Sequence, residues 1–199
     1  KAQFSWDKVQ STNKLSDYSL LIGCSTLLLL LGYAQYQYEI FGTRYGLGVA
    51  IPTLIFFFCA YYFDHSGVLS MAITGLASWL GLTVAPLSVI TKNDFTDPKL
   101  LFTAIVLGAI LLGVAWVSQE KDIKKHFSFT YVFLGGNLAA TAALTGLFNH
   151  DNKWIYFIVS ILLATYFVVY ARKNQAGLIL LMGVIYGYIA TTYLLTLLP

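Results

Sequence analysis

The chain has 199 residues, of which 58% are hydrophobic and 11% charged. Soluble domains carry about 25% charged residues, and a water-soluble fold of this composition would expose apolar patches that soluble monomers avoid. The net charge of +3 comes from few, dispersed basic residues, which argues against a nucleic-acid surface.

A bilayer solvates apolar side chains, so the expected fold is all-α, a polytopic transmembrane helical bundle. At about 20 apolar residues per span, the length holds seven spans with short connections and no separate water-soluble domain. Residues 1–17 are polar, with Phe4, Trp6, Val9 and Leu15 scattered among charges. They read equally as a short interfacial helix or as an unstructured end. The transmembrane domain is expected over 18–199.

Seven apolar runs follow in chain order, at 18–34, 45–63, 67–90, 100–119, 127–148, 154–171 and 176–198. Each is long enough to cross about 30 Å of hydrocarbon at about 1.5 Å per residue. The first run lacks the small-residue cleavage pattern of a signal peptide, so it reads as a retained span. Nearly every charge falls in the connections, where irregular backbone meets water. Tyr33, Tyr36, Tyr38, Phe41 and Tyr45 flank the first connection, Tyr61, Tyr62 and Phe63 end the second run, and Trp154 opens the sixth. Such rings favour the membrane interface.

Lysine and arginine set the expected orientation. On the N-terminal side stand Lys1, Lys8, Lys14, Lys121, Lys124, Lys125, Arg172 and Lys173; on the other stand Arg44, Lys92, Lys99 and Lys153. Eight against four places the N-terminus in the cytoplasm. No convincing internal repeat is present, which weakens an inverted-repeat transporter.

Small residues recur at four-residue spacing: Ala77, Gly81 and Ala85; Ala104 and Gly108; Ala109 and Gly113; Gly135 and Ala139; Gly136 and Ala140; Gly183 and Gly187. This spacing puts small side chains on one helix face and lets backbones approach. Packing within the bundle is the plainer reading. A homo-oligomer interface or a lipid groove is the sharper one.

Counting inward from the run ends places Thr53, Ser78, Asn137, Ser160 and Tyr186 near mid-depth. Asn137 stands out because hydrocarbon satisfies neither its donors nor its acceptor. An interhelical hydrogen bond accounts for it, and the wall of a polar cavity is the functional alternative. Pro52 and Pro86 each remove a backbone donor inside a run and predict kinks, with Thr53 and Thr83 near the freed groups.

The runs hold no ionisable group well inside, which argues against ion-coupled pumps and proton relays. The seventh run has no lysine for a retinal Schiff base, and no run has the paired histidines of a haem site. His65, His126 and His150 fall in connections; Asp64, His65 and His126 are expected on the cytoplasmic side, with Asp122 near His126. They read as solvated loop residues rather than metal ligands, since three or four convergent donors are needed. Cys24 and Cys59 read as buried thiols rather than a disulfide. Glu39, Arg44, Lys92, Asp94, Asp97, Lys99, His150, Asp151 and Lys153 read as a solvated outer rim. Spacing shows neither a nucleophile with a base nor a Gly-rich phosphate loop, so no cofactor is expected.

The stretch LLIGCSTLLLLLGYAQYQY at 20–38, the small-residue span AITGLASWLGLTVAPLSV at 72–89 and the end GLILLMGVIYGYIATTYLLTLL at 177–198 together resemble a family of predicted bacterial membrane proteins defined only as a domain of unknown function. The resemblance covers most of the chain and implies a bacterial inner-membrane protein. It carries over no functional residue. Members often have a soluble segment before the first span, which here is nearly missing.

Three functions follow as expectations. The first is a non-enzymatic membrane subunit that packs against membrane lipids, a protein partner or a second copy of itself. The second is a transporter or facilitator for a neutral or apolar solute, lined by residues such as Asn137, Thr53 and Tyr186. The third is a lipid-acting enzyme that uses polar groups at either rim.

Overall fold

The computed structural model describes residues 14–42, 44–85 and 95–196. The polar segment 1–13, Pro86, Lys92, Asp94 and the end of the third run lie outside the described residues.

The described residues form seven helices and no strand: α1 Lys14–Tyr38, α2 Tyr45–Phe63, α3 Ser66–Val84, α4 Pro98–Glu120, α5 Phe127–Asn149, α6 Lys153–Asn174 and α7 Gly177–Thr196. All are long and apolar enough to cross a membrane. A continuous helix satisfies its own backbone groups, which lipid cannot do. The apolar run predicts α2 residue for residue. It underestimates α1, which begins at Lys14, ahead of the run expected from residue 18, and continues to Tyr38. Helical hydrogen bonding does not stop where side chains become polar, so residues 14–17 are part of this helix.

The chain divides into two compact units, Lys1–Pro86 with Val114–Tyr131, and Leu87–Gly113 with Val132–Pro199. In the first unit, α2 and α3 form an antiparallel pair joined by Asp64 and His65 alone. Asp64 adopts the left-handed conformation (φ 58°), and the N–H groups of Asp64 and His65 both reach the Ala60 carbonyl. This αL turn closes the helix end. His65 then caps α3, its Nδ1 accepting from the Val68 N–H at 3.2 Å. Phe56, Ala60, Val68, Leu69, Ala72 and Ile73 form the buried seam. The α1 helix touches α2 and α3 more sparsely, and Cys24 is the one buried residue along its described side chains.

Pro52 is buried in α2. Proline leaves the carbonyl four residues earlier, that of Gly48, without its helical donor. The Thr53 hydroxyl does not supply it as expected; it donates to the Val49 carbonyl at 2.7 Å. Thr83 likewise donates to its own i−4 carbonyl, that of Trp79.

In the second unit, α6 and α7 form a second antiparallel pair. Its turn repeats the same physics: Gln175 is left-handed (φ 53°), and the Ala176 N–H reaches the Ala171 carbonyl. Here α5 packs against α4 on one face and α6 on another. A Cβ at Gly108 would lie 2.5 Å from the Gly135 carbonyl oxygen, and one at Gly135 would lie 2.6 Å from Leu111 Cβ. One at Gly136 would meet the Phe167 ring at 2.5 Å. The adjacent glycines thus serve two different neighbours, because successive helix positions point about 100° apart. Gly183 sits against Ala164 and Phe167, Gly187 makes ordinary contact with Ala164, and Ala140 is buried. Gly113 is different: nothing lies within 4 Å of a Cβ there, so it makes no close helix contact. Its spacing matches Ala109, but both residues are exposed.

Candidate functional site

Two polar clusters stand out, one in each unit. The first lies where the connection after α2 meets the one between α4 and α5. Asp64 closes α2, and its carboxylate is fully buried. Lys124 Nζ lies 2.9 Å from Asp64 Oδ1, with its side chain 3% exposed. His126 Nε2 lies 3.0 Å from the same oxygen, with its side chain 27% exposed. This ring nitrogen is buried and faces the carboxylate.

The backbone around the cluster is tightly held. Lys124 is left-handed (φ 49°), as is Asp122 (φ 50°). Non-glycine residues stay in that region only where their surroundings over-determine them. Here the Ser118 hydroxyl, on α4, reaches the carbonyls of Ile123 at 2.6 Å and Lys124 at 3.2 Å. The Phe127 N–H donates to the Lys124 carbonyl, and Ser128 Oγ to that of Ala115. Phe127 packs edge-on against Tyr61 and at 4.2 Å against the His126 ring. Deeper in, the hydroxyls of Tyr61 and Tyr131 share a 2.6 Å hydrogen bond between α2 and α5.

The electrostatics follow from this geometry. One buried carboxylate faces two basic groups. Burial pushes His126 below the ordinary imidazole value; against it the Asp64 carboxylate pulls upward, by its charge and by a hydrogen bond, and the Lys124 ammonium adds a smaller push down. Pairing Lys124 with Asp64 offsets part of the cost of burying either ion. Asp64 and His126 are both potential metal ligands, but the third group is an ammonium, which donates and cannot ligate. Among the described residues no three His, Cys, Asp or Glu side chains converge.

The expectation of solvated loop residues is therefore corrected for Asp64 and His126. Asp64, His126 and Lys124 share one end of their unit, and Asp64 and Lys124 are buried there. Asp122 is exposed and pairs with Lys125 at 3.0 Å.

The second cluster holds two of the residues expected near mid-depth. Tyr186 Oη donates to Asn137 Oδ1 at 2.6 Å, joining α7 to α5. Asn137 Nδ2 donates to the Phe133 carbonyl at 2.8 Å and touches Met182 Sδ at 3.6 Å. Space beside Asn137 comes from Gly136, but Phe167 fills it. The other mid-depth hydroxyls bond to carbonyls of their own helices. Ser160 is buried and donates to Tyr156, Ser78 is exposed and donates to Thr74, and Thr53 lies against Gly75. Cys24 and Cys59 are free thiols, Cys24 buried as expected and Cys59 only partly so. At the far connections, His150 Nε2 lies 2.8 Å from the Thr96 carbonyl oxygen, and Lys153 sits over the Tyr193 ring.

Sequence reasoning missed the Asp64–Lys124 pair. The available signal was a connection of two residues, Asp64 and His65, between long apolar runs.

No family model, curated protein or solved structure matches this chain.

Proposed function

We propose that this integral membrane protein is a non-enzymatic subunit that works by packing against a protein partner or a specific lipid. The observation that carries this reading is α1. This helix of 25 residues buries little beyond Cys24, while Leu29 and Tyr36 are 74% and 86% exposed. A helix so weakly held by its own chain gains most of its remaining contact from whatever lies beside it in the membrane. The polar groups at mid-depth support the same reading, since Asn137 and Tyr186 are engaged with each other. A bacterial inner membrane is the setting that the sequence resemblance suggests.

The test is site-specific photocrosslinking in the native membrane from Leu29 and Tyr36. Leu162 on α6, 64% exposed, is the control. The expected result is a discrete, reproducible protein or lipid adduct from α1 that the control lacks. Undirected lipid labelling alike from all three positions would refute the proposal.

A further inference from the structure

We draw no further inference here: the strongest candidate, the pair of thiols that Cys24 on α1 and Cys59 on α2 place in the first unit, carries nothing because both are free and no contact of the structure joins their sulfurs.

Discussion

Replacing Asp64 by asparagine removes the negative charge of a sealed carboxylate while keeping side-chain size. Asparagine also tolerates the left-handed backbone that Asp64 adopts, so the substitution isolates electrostatics from turn strain. At an effective dielectric near 20, two unit charges at this 2.9 Å separation attract by about 6 kcal/mol. Desolvation of both ions offsets part of this, and breaking one side of a buried pair costs about 3–5 kcal/mol because the other charge is stranded. Asp64→Asn is therefore expected to destabilise the protein by about 3–5 kcal/mol, because the buried Lys124 ion loses this carboxylate. Adding Lys124→Met removes that ion, and the double variant should recover much of the loss. Reversible unfolding in mixed micelles, run on the wild type, both single variants and the double, yields the coupling energy. A cost below about 1 kcal/mol for Asp64→Asn, the range of exposed pairs, would refute the argument. So would a double variant no more stable than the single.

Three further outcomes follow from the same geometry. Gly108→Ala puts a methyl against the Gly135 backbone and is expected to cost about 1–3 kcal/mol by forcing α4 and α5 apart. Gly113→Ala has open space and should be neutral or stabilising by about 0.5–1 kcal/mol, so equal effects in the unfolding assay would refute the packing assignment. Tyr186→Phe and Asn137→Leu each remove the bond between α5 and α7; a coupling of about 0.6 kcal/mol, and no more than about 1.7, is expected from a double-mutant cycle. Wild-type unfolding stability should fall as pH drops below about 6.5, because the unfolded chain takes up the His126 proton first, and His126→Gln should remove that component.

Composition and the lengths of the apolar runs were enough to read the membrane class and the helices α1 to α7, since lipid leaves the backbone few alternatives to continuous helix. The run at 45–63 became α2 without change, and short connections dictated antiparallel neighbours such as α2 with α3 and α6 with α7. The small-residue spacing was also legible, but not which members matter. Gly108 and Gly113 look alike in sequence; only the packed structure puts Gly108 against Gly135 and leaves Gly113 open. The helices are apolar on every side, so no amphipathic stripe marks which face meets protein and which meets lipid. The buried cluster was hidden for a related reason. Asp64, Lys124 and His126 are loop residues by sequence, and a charge in a connection normally finds water. Whether it does depends on which other connection comes to lie over it, and Asp64 and Lys124 are 60 positions apart in the chain. That juxtaposition belongs to the tertiary structure alone, because a buried ion pair is stable only when both partners arrive together.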